Sequence, residues 1–304
     1  MLRETVSIEY RGERLTGIHD RANRNEMCIV MLSAGLQNRC GARRFYWRVA
    51  NSLREIFGVL RVDLSGAGDS TSEASSYHFD LHEPNEVSHV IEYTKHTLGY
   101  KRIILLGLCA GARAALKTAS LREDIEGVVA LNSPMLTGGL QMPVSPLEPE
   151  NRIGNVRSKN NVITLLKFFY SVRFLQLQWW RNRLRPGRSV VRDASKYAKS
   201  IIHVLSGQHK KPKLNSFVKS VQALITNQRK ILFVYGELDH RALSEFREQF
   251  PELNTNGSFQ TYHLIERGDH VFSSISAQEK VIDVTRDWLL GVSEGKKLEL
   301  DIAV

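Results

Sequence analysis

Three residues able to form a catalytic triad follow three apolar runs of this 304-residue chain. Cys109 lies within ILLGLCAGARAAL, Asp239 follows ILFVYGEL, and His270 follows YHLIERGD. A thiol, an imidazole and a carboxylate in one site can transfer acyl groups, because the base removes the thiol proton and the acid orients the base. We therefore take Cys109 as the candidate nucleophile, His270 as the base and Asp239 as the acid.

The residues around Cys109 suit a sharp turn from a strand into a helix. Residues 103–106 predict a buried strand, and the alanine-rich residues 110–118 predict a helix. Gly107 and Gly111 supply small neighbours at the spacing of a G-x-S-x-G nucleophile elbow, with cysteine in place of serine. The helix start also favours negative charge on the sulfur. A buried structural cysteine at a close-packed junction would give the same five residues, so the motif alone does not decide.

The surrounding elements favour the catalytic interpretation of these residues. Apolar runs alternate with helical patterns, which indicates an α/β fold with a mainly parallel sheet and helices on both faces. Catalytic residues of such sheets follow the carboxyl ends of the strands, as Cys109, Asp239 and His270 are expected to do. Their chain order of nucleophile, acid and base is that of α/β-hydrolases. Glu237, in the same loop as Asp239, remains an alternative acid.

Negative charge on a tetrahedral acyl intermediate requires aimed N–H donors. We expect one donor to be the backbone of Ala110, directly after the nucleophile. The other is expected from Leu36, in the loop after CIVMLSAG, where Gly35 keeps the backbone open. Arg39 follows this loop and is a candidate for binding an anionic group of the substrate, but the pattern fits the start of a solvated helix somewhat better. The sequence indicates no metal site and no nucleotide cofactor, and we expect neither.

Residues 135–229 differ from the rest of the chain in charge. They carry 17 Lys and Arg against three Asp and Glu, a balance of +14, whereas the remainder has a balance of −4. We predict a basic helical cap at 135–229, inserted between two parts of a hydrolase core at 1–134 and 230–304. Its stretch NVITLLKFFYSVRFLQLQWWRNRLR fits core packing, and also a surface for anionic lipid or a carrier-linked substrate. No nucleic-acid-binding motif accompanies the charge, so no nucleic acid is expected.

The distribution of cysteines and apolar residues bears on the compartment. Three cysteines without metal-site spacing favour a reducing environment. We see no apolar leader and no run long enough to cross a membrane, so we expect a cytoplasmic protein. The basic insert adds the expectation of peripheral contact with the inner face of the membrane.

Five stretches resemble the α/β-hydrolase superfamily, and more narrowly the hydrolases encoded beside exosortase A systems, often called exosortase-associated hydrolase 1. They are LSAGLQNRCGARRFYWRVA, LRVDLSGAGDS, LLGLCAGARAAL, the YGELD acid loop and GDHVFSS. With the triad, the resemblance implies an acyl hydrolase that acts on an ester or thioester through an acyl-thioester intermediate. It also implies a link to exopolysaccharide or envelope export. The alternatives are an acyltransferase with the same triad, and a non-catalytic scaffold or binding module of an export assembly.

Overall fold

An eight-stranded sheet forms the centre of the fold. The computed structural model describes residues 2–22, 26–33, 35, 37–70, 84–136, 216–253 and 259–294, so most of the predicted insert lies outside the described residues. The strands are β1 (Arg3–Tyr10), β2 (Glu13–Asp20), β3 (Met27–Leu32), β4 (Gly58–Asp63), β5 (Arg102–Leu108), β6 (Gly127–Leu131), β7 (Lys230–Gly236) and β8 (Gln260–Ile265).

The strands lie in the order β1-β2-β4-β3-β5-β6-β7-β8. β1 pairs with β2 and β2 with β4 in antiparallel register, and every other pair is parallel. The parallel pairs need crossover connections, which the helices supply. They are α1 (Phe45–Leu53), α2 (Pro84–His96), α3 (Ala110–Ala119), α4 (Ser216–Thr226), α5 (His240–Gln249) and α6 (Ile275–Glu294).

The sheet separates two apolar cores, because successive side chains of a strand point to opposite faces. In β5, Ile103 and Leu105 belong to one core, and Ile104 and Leu106 belong to the other. Helices α2, α3, α4 and α5 pack into the first core, and α1 and α6 pack into the second. Strand β3 is buried at all six positions, as expected for a strand covered on both faces. These observations confirm the predicted α/β architecture.

Helix α4 falls within the range predicted for the insert. Its residues Phe217, Val218, Val221 and Leu224 are buried in the first core. The residues from Ser216 onward therefore pack with the sheet, and the core resumes earlier than the predicted residue 230. The division into 1–134, 135–229 and 230–304 otherwise stays a prediction. Within the described ranges, no helix has both the length and the apolar composition that a membrane span requires.

Candidate active site

Three candidate residues lie at one edge of the sheet. Cys109 follows β5, Asp239 lies three residues after β7, and His270 lies five residues after β8. β5, β6, β7 and β8 are mutually parallel neighbours, so their carboxyl ends meet at the same edge. This is the edge at which open α/β sheets hold their ligands.

Cys109 forms the turn between β5 and α3, with φ 54° and ψ −113°. Such a positive φ is uncommon for a residue with a Cβ atom and persists only where the surrounding structure enforces it. A methyl group at Gly107 would lie 2.2 Å from the carbonyl carbon of Gly111, and one at Gly111 would lie 2.2 Å from the carbonyl oxygen of Leu32. Both contacts are with backbone, so these two glycines permit the close approach that the turn needs.

Asp239 and His270 are in direct contact. Oδ2 of Asp239 lies 2.6 Å from Nδ1 of His270. Asp239 is also the N-cap of α5, where Oδ1 accepts a hydrogen bond of 3.4 Å from the backbone N–H of Ala242. The His270 side chain also lies close enough to Cys109 to interact with it electrostatically. The imidazole of His270 thus lies between the thiol of Cys109 and the carboxylate of Asp239. The carboxylate fixes the orientation of the imidazole ring.

The charge state of His270 follows from these two contacts. Burial lowers the pKa of His270, but the hydrogen bond with Asp239 and the interactions with Cys109 outweigh burial and raise that pKa to about 10. The raised pKa means that the imidazolium form is favoured between its two partners. A protonated His270 beside Cys109 places a proton donor next to the sulfur of the candidate nucleophile.

Glu237, the alternative acid, has a different partner. Its Oε2 accepts a hydrogen bond of 2.9 Å from the backbone N–H of Arg267, and its side chain is exposed. Glu237 therefore connects two surface turns. Of the two carboxylates considered from the sequence, Asp239 is the one that contacts His270.

The expected oxyanion donors are described in part. Ala110 is the first residue of α3, where backbone N–H groups have no acceptor within the helix. Gly35 is buried and has φ 55°, in the left-handed region that glycine tolerates. Leu36 lies outside the described residues. Tyr46 is buried and donates a hydrogen bond of 2.7 Å to the carbonyl oxygen of Leu32, which holds the end of β3 just before this loop.

Arg39 contacts two carboxylates of the chain. Its guanidinium donates hydrogen bonds to Asp63 and, at 2.6 Å, to Oδ2 of Asp69, and its backbone N–H also donates to Asp63. The Arg39 side chain is 16% exposed. Its charge is therefore compensated by the last residue of β4 and by the loop that follows, which favours a role in holding that loop. Substrate binding by Arg39 stays a prediction.

Sequence reasoning missed Asn132, directly after β6. This residue is buried, and its side chain contacts the loops that carry the acid and the base. The sequence does place Asn132 at a strand end, since it follows the strand GVVAL as Cys109 and Asp239 follow their own strands. It was overlooked because an amide neither titrates nor attacks. Asp269, the residue before His270, shapes the base loop, because its Oδ1 accepts a 2.7 Å hydrogen bond from the backbone N–H of Ser273.

Comparisons with known proteins agree with this architecture. Residues 30–273 match the family described as alpha/beta hydrolase fold. No curated protein matches the sequence at a significant level.

The fold is similar to those of several solved hydrolase structures. A Pyrococcus furiosus esterase, Pf2001, has a TM-score of 0.56 at 16% identity, covering 95% of this chain and 90% of that chain. A dienelactone hydrolase from Anabaena variabilis has a TM-score of 0.55 at 14% identity, covering 95% and 97%. Est1E from Butyrivibrio proteoclasticus, solved with ferulic acid, has a TM-score of 0.53 at 18% identity, covering 94% and 98%. At these identities the likeness is one of fold.

Proposed function

The chain belongs to the alpha/beta hydrolase fold family, and from this premise we propose that it is an acyl hydrolase acting on an ester or thioester. The observation that carries the proposal is the placement of three residues at one edge of the sheet: Cys109 at a strained turn between strand and helix, and His270 in contact with Asp239 at 2.6 Å. Catalysis by these residues explains why a cysteine occupies a backbone conformation that costs free energy.

Acylation would begin when the Cys109 sulfur, its proton held by His270, attacks the acyl carbonyl carbon. A carbon–sulfur bond forms while the carbonyl π electrons move onto the oxygen. The backbone N–H groups of Ala110 and Leu36 would stabilise that oxyanion. When the intermediate collapses, the bond to the alcohol or thiol leaving group breaks and His270 gives it the proton. Asp239 keeps the imidazole oriented and stabilises its positive charge.

Deacylation repeats these steps with water as the nucleophile. His270 takes a proton from water, whose oxygen attacks the thioester carbonyl carbon. The carbon–sulfur bond then breaks, the acid product leaves, and the proton from His270 returns to the sulfur of Cys109. The products are a carboxylic acid and the enzyme in its starting state.

The cysteine nucleophile supports a second candidate, an acyltransferase with the same triad. A thioester remains activated towards amines, alcohols and thiols, so a bound acceptor would replace water in deacylation. The ratio of transferred to hydrolysed product, measured with added acceptor nucleophiles, distinguishes the two activities.

The setting that we propose follows from the sequence. Resemblance to the exosortase-associated hydrolases suggests an acyl substrate connected with exopolysaccharide or envelope export. The +14 balance of residues 135–229 suits an anionic lipid surface or a carrier-linked substrate. We therefore place the enzyme in the cytoplasm, with peripheral contact at the inner face of the membrane.

The test is turnover of p-nitrophenyl acyl esters by the wild-type chain and by Cys109→Ala. We expect the variant to lose turnover while it keeps the thermal unfolding midpoint of the wild type. Cys40→Ala is the matched control, because Cys40 is a more exposed free cysteine that lies outside the contacts of the triad. Equal turnover by Cys109→Ala and wild type would reject the proposed nucleophile. Absence of turnover and of thiol labelling at Cys109 in the wild type would favour the non-catalytic scaffold.

A further inference from the structure

Two consecutive residues at the end of β6, Leu131 and Asn132, hydrogen-bond to backbone groups at or near each of the three triad residues. The carbonyl oxygen of Leu131 accepts a 2.9 Å hydrogen bond from the backbone N–H of Cys109. The next residue, Asn132, extends its side chain between the last residue of β7 and the loop after β8. One pair of consecutive residues therefore contacts the nucleophile turn, the strand end from which the acid loop starts, and the base loop.

The side chain of Asn132 has well-formed hydrogen bonds on both of its ends. Its Oδ1 accepts a 2.8 Å hydrogen bond from the backbone N–H of Gly236, at the end of β7. Its Nδ2 donates to the carbonyl oxygen of Asp269 at 3.1 Å and to that of His270 at 3.0 Å. Because the side chain is fully buried, the loss of these partners would leave backbone groups unsatisfied in the interior.

The backbone of Asn132 indicates that this position is specialised. Its φ of 43° lies in the left-handed region, which Asn visits more readily than other residues with a side chain. Its own N–H donates a 2.8 Å hydrogen bond to the carbonyl oxygen of Val234. An amide is also the one side-chain type that accepts at one end and donates twice at the other without carrying charge.

We propose that Asn132 is a positioning residue for the reaction, which holds the acid and base loops in register with the nucleophile turn. This inference rests on the proposed function. It assigns to Asn132 no contact with the substrate: the residue acts through the backbone of Gly236, Asp269 and His270. Because displacement of a catalytic group by about 1 Å can cost about 10²-fold in rate, a residue that fixes the His270 carbonyl affects catalysis strongly.

Two variants of the full-length chain separate this role from folding alone. Asn132→Asp keeps the shape and the left-handed preference, but it turns the donor towards Asp269 and His270 into an acceptor. Asn132→Gly keeps the backbone conformation and removes the side chain. Gln228→Gly is the matched control, because Gln228 has φ 52° and is exposed at the opposite edge of the sheet.

The readouts are steady-state kinetics on p-nitrophenyl esters and the pH profile of Cys109 alkylation by iodoacetamide. We expect both Asn132 variants to lower kcat by about 10²-fold with KM within about twofold. We also expect the alkylation profile to shift along the pH axis, because His270 no longer holds its place beside Cys109. Gln228→Gly should match the wild type in both readouts.

Wild-type kcat and an unshifted alkylation profile in both Asn132 variants would overturn the inference. Activity that falls only in proportion to the loss of folded protein would also overturn it, because Asn132 would then be structural. Failure of the proposed function has a different signature, in which Cys109→Ala keeps full turnover.

Discussion

At the residue scale, we predict opposite effects on activity when each of the two carboxylates of the acid loop, Asp239 and Glu237, is replaced by its amide. Asp239→Asn should lower kcat by several orders of magnitude, because an amide at 2.6 Å from Nδ1 no longer stabilises the imidazolium of His270. Glu237→Gln should stay within about threefold of the wild type, since Glu237 accepts from the Arg267 backbone. Steady-state kinetics of the two purified variants checks this. The reverse order of damage would transfer the acid role to Glu237.

The raised pKa of His270 predicts how stability depends on pH. The folded chain holds the His270 proton more tightly than the unfolded chain, whose pKa is near the ordinary value of 6.5. The stabilising contribution is therefore complete below about pH 6.5 and is lost as pH rises through about 10. Thermal unfolding midpoints of wild type and His270→Asn, measured from pH 6 to 10, should converge as pH rises. A difference that stays constant or widens over this range would contradict the assignment.

Most of what the sequence predicts about the site comes from the types of the residues that follow the strands. Cys109, Asp239 and His270 are predictable because each follows an apolar run, and a parallel sheet brings such positions together. The partners of Arg39 were not predictable in this way, since its contacts with Asp63 and Asp69 depend on the folding of two loops onto each other. The role of Asn132 was not predictable from the sequence, because it consists of hydrogen bonds to backbone groups that are far away along the chain.

At the scale of elements, the packing of α3 against β3 and β5 makes the elbow intolerant of added volume. Gly111→Ala would place a methyl group 2.2 Å from the backbone oxygen of Leu32, which cannot move without shifting β3. We expect a loss of about 3 kcal/mol in the free energy of unfolding, at the upper end for overpacking. Urea denaturation of Gly111→Ala and of the wild type measures this difference in the free energy of unfolding.

The control for that variant is Gly99→Ala. Gly99 has φ 81° and nothing within 4 Å of an added methyl group, so this change reports backbone strain without a clash. A loss at Gly111 no larger than the loss at Gly99 would show that β3 and α3 separate easily. The elbow would then not be the rigid element described above.

The strand and helix order was predictable because buried strands and amphipathic helices leave distinct patterns. The residue at which the insert ends was less predictable. The basic charge continues through Lys219 and Arg229, which suggested that the insert extends to residue 229. Burial of Phe217 and Val221 instead assigns α4 to the core, since charge on the exposed face of a helix says nothing about where its apolar face packs.

At the scale of the whole molecule, the uneven charge predicts salt-sensitive membrane binding. Each Lys or Arg near an anionic bilayer contributes about 1 kcal/mol, so a few suffice for reversible binding. In flotation assays we expect the chain to bind anionic vesicles at low salt, to bind neutral vesicles weakly, and to dissociate at high salt. Binding should weaken when four arginines are changed to Gln, namely Arg181, Arg183, Arg185 and Arg188.

A variant with the same change of net charge outside the insert controls for charge alone. It carries Gln at Arg11, Arg14, Arg21 and Arg54. This variant should float as the wild type does. Equal flotation with anionic and neutral vesicles, or equal loss of flotation in both variants, would argue against a membrane surface within the insert.

The central claim is that Cys109 becomes acylated during turnover. The most direct measurement is intact-protein mass spectrometry after exposure to a panel of acyl thioesters, followed by peptide mapping. We predict a mass increase equal to one acyl group in place of one hydrogen, located on Cys109, released by hydroxylamine and absent from Cys109→Ala. Cys28 and Cys40 serve as internal controls, since all three cysteines are free. An adduct on Cys28 or Cys40, or turnover by Cys109→Ala without any adduct on the wild type, would contradict the account.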